Sequence, residues 1–142
     1  MEPSPEDPRS LTEDEIDKLR KLLSERAQHI SEQDLRTLLS KEEGAEKRLS
    51  ALSSTLPRLV SQVRLSFSLV RDYFQGNYRK LPWWSVASVA AGLGYFLTPT
   101  DVIPDFLPLI GYVDDAAVLA LIMAGLREDL KKYAEAKGIS LE

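Results

Sequence analysis

Residues 83–126 read WWSVASVAAGLGYFL (83–97), TPTDVIPDFLPLIGYVDD (98–115) and AAVLALIMAGL (116–126). This stretch contains no Lys or Arg, and its only charged residues are four Asp residues in the middle segment. Two apolar, helix-compatible segments joined by a loop rich in proline and acid predict a helical hairpin. The hairpin is the most apolar part of the chain, so we expect the other elements to be arranged around it.

Small residues recur four positions apart in both arms of the hairpin. Such residues let the backbones of two helices approach closely. We therefore expect the arms to pack against each other through Ala87 and Ala91, Ser88 and Gly92, Ala90 and Gly94 in the first arm, and Ala116, Ala120 and Ala124 in the second.

The chain before the hairpin has a different composition, with densely spaced charges and apolar residues at helical spacing. Capping-box patterns at Thr12 and Ser31 and a proline at Pro57 predict helix starts. They predict a first helix to about Gln28, a short second helix, a third segment after a break near Gly44, and a longer helix ending at Gln75. A last helix is expected from about Val113 to Lys137, capped by Gly138.

These patterns predict an all-α protein, a small helical bundle around the hairpin, because no convincing strand pattern is present. We divide the chain into a disordered tail (1–9), a charged amphipathic helical region (10–80), the apolar hairpin (81–138) and a short tail (139–142). The charged region is expected to cover the hairpin or to recruit a partner.

Charge and composition exclude some functions. The net charge of −4 and the pI of about 5.1 argue against nucleic acid as a partner, since binding phosphates requires a concentrated basic surface. The chain has no cysteine, so disulfides and zinc–thiolate sites are excluded. The first residues lack the pattern of a secretory signal, and we expect a location on the cytoplasmic side.

The apolar arms leave two interpretations open. Counted from Trp83 to Leu97 and from Val113 to Leu126, they hold 15 and 14 residues, short of the roughly 20 needed to cross a bilayer, which favours a soluble or dimeric core. Basic residues flank the hairpin and aromatic residues lie at its entrance, which is typical of a hairpin inserted in a membrane or bound to its surface. The residues predicted to meet a membrane surface or anionic lipid are Arg71, Arg79, Lys80, Trp83 and Trp84.

The acidic loop also has two readings. Asp101 and Asp105 are four residues apart, while Asp114 and Asp115 fall in the first turn of the predicted last helix. Such Asp residues commonly cap helices and complement the helix dipole. Alternatively, the four carboxylates form a site for Mg²⁺ or Ca²⁺, or raise one another's pKa and so permit acid–base chemistry. No nucleophile is identified beside them, and no other cofactor is expected.

The hairpin closely resembles the YkvA-like family, a domain of unknown function in mainly bacterial, uncharacterised proteins. The resemblance covers residues 81 to about 126 and consists of Tyr-Phe, then Pro-x-Asp-x-Ile-Pro-Asp, then Gly-Tyr-x-Asp-Asp. The motif and structural residues are Tyr95, Phe96, Pro99, Asp101, Ile103, Pro104, Asp105, Pro108, Gly111, Tyr112, Asp114 and Asp115. The resemblance implies a helical hairpin often described as membrane-associated, and it implies no established activity.

Two functional hypotheses follow. The first is a non-enzymatic membrane-associated or assembly module, in which the hairpin inserts shallowly or packs against a second copy to form a homo-oligomer. The second is a divalent-cation-dependent enzyme or ion-binding protein that uses Asp101, Asp105, Asp114 and Asp115. The sequence alone identifies no reaction, substrate or partner.

Overall fold

The structure, a computed structural model, describes residues 13–97, 120 and 122–139. Every element within those ranges is a helix, which confirms the all-α prediction. A helical turn at 122–125 precedes the last helix. The helices are α1 (Glu13–Gln28), α2 (Glu32–Ser40), α3 (Glu42–Leu52), α4 (Pro57–Gln75), α5 (Trp83–Leu97) and α6 (Arg127–Lys137).

Several helix ends form where local sequence signals predict them. At the start of α2, the Ser31 hydroxyl accepts a hydrogen bond of 3.3 Å from the Asp34 backbone N–H, and the Asp34 carboxylate accepts one of 2.8 Å from the Ser31 N–H. Pro57 is in the first turn of α4. Gly76 and Gly138 end α4 and α6 with φ of +84° and +70°, a backbone conformation that glycine adopts without strain. The predicted capping box at Thr12 and the predicted tail at residues 1–9 lie outside the described residues.

Two helix boundaries differ from the prediction. Helix α3 passes through Gly44, and the break lies at Lys41, because a single exposed glycine near a helix start weakens a helix without ending it. The predicted last helix is interrupted at Leu126, whose N–H donates to the Met123 carbonyl three residues back instead of four. Gly125, a poor helix former, directly precedes this turn. The start predicted at Val113 lies outside the described residues.

Helix α5 forms the centre of the core, packed against α1, α2 and α4. Ten of its fifteen residues are buried, and Val86, Val89, Ala90 and Leu93 are fully buried. A helix that is apolar on all sides is expected to be covered on all sides. Complete burial of each large apolar side chain contributes about 1.5–3 kcal/mol, so α5 supplies much of the hydrophobic stabilisation.

The small residues of α5 contact two different partners. Ala87 and Ala91 form a buried cluster with Ala27 of α1. Gly92 faces residues 122–126, which belong to the second arm of the hairpin. A Cβ added at Gly92 would lie 2.9 Å from Ile122 Cγ2 and 3.2 Å from Leu126 Cδ1. The predicted close approach of the two arms is therefore present at Gly92, while the alanine face is occupied by the N-terminal helix.

Polar contacts connect the outer helices to α4. Arg71 and Arg64 of α4 form ion pairs with Glu42 and Glu46 of α3. On the C-terminal side, Asp72 accepts a hydrogen bond from the Tyr133 hydroxyl and pairs with Lys137 Nζ at 3.1 Å, so it joins α4 to α6.

Candidate functional site

Asp101, Asp105, Asp114 and Asp115, together with Pro99, Pro104, Pro108, Gly111 and Tyr112, lie outside the described residues. Tyr95 is described and is buried in the core at 2% exposure. Within 13–97 and 120–139, no group of three or more Asp, Glu or His side chains is arranged to hold a metal ion. Divalent-cation binding by the four Asp residues stays a prediction.

The connection between α4 and α5 determines which basic and aromatic side chains are exposed. The N–H groups of Gly76 and Asn77 cap α4 by donating to the carbonyls of Tyr73 and Asp72 at 3.1 and 2.8 Å. Tyr78 and Leu81 are then buried at 7% and 5% exposure. Because Tyr78 and Leu81 anchor the connection to the core, the intervening pair Arg79 and Lys80 lies on the surface.

Two contacts with Tyr73 fix the position of Arg79. Its Nε donates a 3.0 Å hydrogen bond to the Tyr73 carbonyl, and its Cζ lies 4.8 Å from the centroid of the Tyr73 ring. The Tyr73 ring also contacts Trp83, and the centroids of these two rings lie 6.0 Å apart. Trp83 is half-buried and packs against the cluster of Ala27, Ala87 and Ala91. These contacts bring two of the predicted membrane-surface residues, Arg79 and Trp83, to one place.

Trp84 differs from its neighbour because 53% of its surface is exposed. It follows the exposed Lys80 by four residues, at the first turn of α5. We call Arg79, Lys80, Trp83 and Trp84 the basic–aromatic corner. Basic residues followed by two tryptophans at the end of an apolar helix have the chemical character of groups that lie at a membrane–water interface.

Arg71, the fifth residue predicted to meet a membrane surface, is outside this corner. Its guanidinium is half-buried on α4 and donates a hydrogen bond to the Glu42 carboxylate. A cation already paired with a carboxylate contributes little attraction to an anionic surface, because lipid binding would have to replace the existing ion pair. The structure therefore gives Arg71 a role in joining α3 to α4.

The opposite end of α5 has a polar contact that sequence reasoning did not identify. Arg48 of α3 donates a 2.6 Å hydrogen bond from Nη1 to the Phe96 carbonyl, and its Cζ lies 4.6 Å from the centroid of the Phe96 ring. The last carbonyls of a helix lack intrahelical donors and carry the negative end of the helix dipole. Arg48 satisfies one of them immediately before the acidic motif begins in the sequence.

Comparison with known proteins identifies the family of this chain. The sequence profile of a family described as "Protein of unknown function (DUF1232)" matches residues 85–121. A relative from Bacillus subtilis (strain 168), described as an uncharacterized membrane protein YkvA, is 30% identical over 76 residues, which are 54% of this chain and 72% of the relative. The chain belongs to this YkvA-like family. No solved structure gave a significant match.

The YkvA-like segment begins inside α5, two residues after the helix starts, and contains all four Asp residues of the acidic motif. Helices α1 to α4, which cover α5, precede it. None of the helices in the described ranges is both long enough and apolar enough to cross a membrane.

Proposed function

We propose that this YkvA-like protein is a non-enzymatic module that binds an anionic membrane surface through the basic–aromatic corner. The observation that carries the proposal is the 53% exposure of Trp84 at the start of an otherwise buried apolar helix, which follows the exposed Arg79 and Lys80 closely in the sequence. Trp prefers the membrane interface, and Lys and Arg are attracted to anionic lipid headgroups. The relative described as a membrane protein supports the same function.

The packing of α5 favours contact at the surface over insertion of the hairpin. Insertion would require α5 to leave α1, α2 and α4, with loss of the burial of Val86, Val89 and Leu93. The helix is also shorter than the roughly 20 residues of a membrane span. Contact through Trp84 and Lys80 requires no such opening. The basic flanks of the hairpin support a contact on the cytoplasmic leaflet, whose surface carries a negative potential.

Co-sedimentation with vesicles tests this function. The protein should bind vesicles that contain phosphatidylglycerol at low salt, and binding should weaken at high salt because exposed charges are screened. Lys80→Glu should weaken binding by about tenfold or more, since each basic group near an anionic surface contributes about 1 kcal/mol and reversal adds repulsion. Trp84→Ala should weaken binding at both salt concentrations, because its contribution is apolar.

Two variants serve as matched controls. Lys47→Glu makes the same charge change on the exposed surface of α3, and Ile139→Ala removes the other large exposed apolar side chain of the described residues, at 48% exposure. Neither should change vesicle binding by more than about twofold. If both controls weaken binding as much as Lys80→Glu and Trp84→Ala do, net charge and general hydrophobicity explain the binding and the corner does not. Addition of Mg²⁺ or Ca²⁺ to the same assay tests the alternative at the acidic motif.

A further inference from the structure

A cleft of about 230 Å³ opens beside Trp84, between α1, the start of α5 and the second arm with the first turn of α6. Its apolar wall is formed by Leu23, Trp84, Ile122 and Leu126. The cleft exists because α1 and the second arm both pack on α5 at Ala87, Ala91 and Gly92 without closing over Trp84. Trp84 therefore belongs both to the basic–aromatic corner and to this cleft.

The size of the cleft limits what it can hold. An apolar cavity of about 150 Å³ accommodates benzene, and pockets for drug-sized ligands start at about 300 Å³. A volume of about 230 Å³ therefore suits one short, flexible apolar group and is too small for two acyl chains. The part of one acyl chain nearest the headgroup fits this description.

Two opposite charges line the same cleft, Arg20 of α1 and Asp129 of α6. Within the part of the chain that the structure describes, neither side chain has a hydrogen bond or an ion pair. A guanidinium is suited to a phosphate group, which it can bind with two hydrogen bonds. The carboxylate of Asp129 repels a second anionic group and attracts an ammonium. Together they match a headgroup that carries both a phosphate and an ammonium.

We propose that the cleft binds one phospholipid with a zwitterionic headgroup, its phosphate at Arg20, its ammonium at Asp129 and an acyl chain against Leu23, Ile122 and Leu126. This inference rests on the proposed function, since membrane contact at Trp84 delivers the lipid. It adds a binding site for a single lipid molecule, selective for headgroup, to a surface that otherwise binds through charge and the apolar ring of Trp84.

The test uses short-chain lipids as dissolved monomers, so that no membrane surface is present. Dihexanoylphosphatidylethanolamine, below its micelle concentration, should bind the full-length chain saturably in calorimetry. It should bind at least about fivefold more tightly than dihexanoylphosphatidylglycerol, which lacks the ammonium. Arg20→Ala should weaken binding of both lipids by about tenfold, as expected for loss of a charge-assisted hydrogen bond. Lys21→Ala, on the exposed surface of the same helix, is the matched control and should change neither.

Asp129→Asn is the most informative variant, because it should remove the preference for phosphatidylethanolamine over phosphatidylglycerol without abolishing lipid binding. Phosphatidylglycerol should then bind at least as tightly as phosphatidylethanolamine. Gly125→Phe should block both lipids, since Gly125 lines the cleft and a Cβ there would meet nothing within 4 Å, so the ring can enter the cleft without a clash. Thermal melts of all variants check folding.

The outcomes separate this site from the proposed function. Lys80→Glu should weaken vesicle binding by about tenfold or more yet leave monomer binding unchanged. Wild-type protein that binds vesicles but takes up no monomeric lipid would overturn the cleft proposal and leave the surface function in place. Equal affinity for the two headgroups in the wild type, or unchanged binding in Gly125→Phe, would also overturn it. If wild-type protein takes up no lipid and Gly125→Phe converts a dimer to a monomer, the cleft is a contact between two copies.

Discussion

The guanidinium of Arg48 lies over the ring of Phe96 and donates a hydrogen bond to the carbonyl oxygen of the same residue. One side chain of α3 therefore both caps the C-terminal end of α5 and covers an aromatic ring beside it. The acidic motif of the YkvA-like family starts a few residues later in the sequence, so Arg48 connects the N-terminal helices to the end of α5 from which the motif continues.

Replacement of Arg48 should destabilise the protein. Arg48→Ala should lower the free energy of unfolding by about 1–3 kcal/mol, because a charge-assisted hydrogen bond and a cation–π contact are lost together. Arg48→Lys should recover only part of this, since an ammonium lacks the planar surface that stacks on Phe96. Urea denaturation provides the measurement. Lys47→Ala, an exposed neighbour on the same helix, should change stability by less than about 0.5 kcal/mol.

The two glycines of α5 should respond in opposite directions to the same substitution. Gly94→Ala should stabilise the protein by about 0.5–1 kcal/mol, because alanine favours a helix and a Cβ there meets nothing within 4 Å. Gly92→Ala should instead destabilise the protein, since the new Cβ would lie 2.9 Å from Cγ2 of the β-branched Ile122. Thermal melts at one pH compare them. Equal stabilisation by both would show that the second arm does not pack on Gly92.

The contacts of Asp72 should make stability depend on pH in acid. Burial alone would raise the pKa of Asp72, but the hydrogen bond from Tyr133 and the ion pair with Lys137 outweigh it, and the folded-state pKa is lowered. A lowered pKa contributes stability above the unfolded value near 3.8, and that contribution is lost as the pH falls through the folded value. Asp72→Asn should therefore be less stable than wild type at pH 7 and should approach wild-type stability below about pH 3.

Tyr133 should contribute to the same network over a wide pH range. Its burial and its hydrogen bond to Asp72 raise the pKa of Tyr133, so the hydroxyl stays protonated and remains a donor. A raised pKa contributes stability below the unfolded value near 10 and loses it only as the pH rises through the folded value. Tyr133→Phe should cost about 1 kcal/mol at pH 7. In thermal melts, the double variant Tyr133→Phe with Asp72→Asn should lose less stability than the sum of the losses in the two single variants.

The neighbouring tryptophans should separate stability from membrane binding. Trp83→Ala removes a half-buried ring that packs on Tyr73 and on the alanine cluster, and should destabilise by about 2–3 kcal/mol. Trp84→Ala should change stability by less than about 0.5 kcal/mol because its ring is mostly exposed. Vesicle binding, measured at a temperature at which both variants are folded, should fall in Trp84→Ala. A large loss of stability in Trp84→Ala would instead assign that ring to the core.

Local features of the fold could be predicted from the sequence because they depend on neighbouring residues. The capping box at Ser31, the helix from Pro57 to Gln75, the apolar helix from Trp83 to Leu97 and the glycine cap at Gly138 all form as predicted. The interruption at Leu126 was missed, because the apolar pattern continues across it while the backbone hydrogen bonding changes at one residue.

Contacts between distant residues could not be predicted in the same way. The spacing of Ala87 and Ala91 indicates that another helix approaches closely, but many helices could satisfy that pattern, and the partner at this face is α1. Arg48 and Phe96 are separated by 48 residues, and nothing in their local sequence distinguishes Arg48 from other exposed basic residues. For the candidate site, the composition of the entrance predicted five membrane-surface residues. Only the fold shows that one of them, Arg71, is paired with Glu42.

The position of the family match within α5 affects how this family can be studied. The match to the family profile starts at residue 85, whereas the helices that cover α5 lie between residues 13 and 75. A fragment cut at the start of the profile match would lose Trp83 and Trp84 together with the helices that cover α5, and would expose Val86, Val89 and Leu93 to water. We expect such a fragment to aggregate, and membrane association measured on it would reflect an uncovered core instead of a native surface. The segment that the family profile matches is therefore shorter than the unit that covers α5, whereas the 76 residues matched in the relative are more than the chain holds from residue 85 onward and so include part of α4.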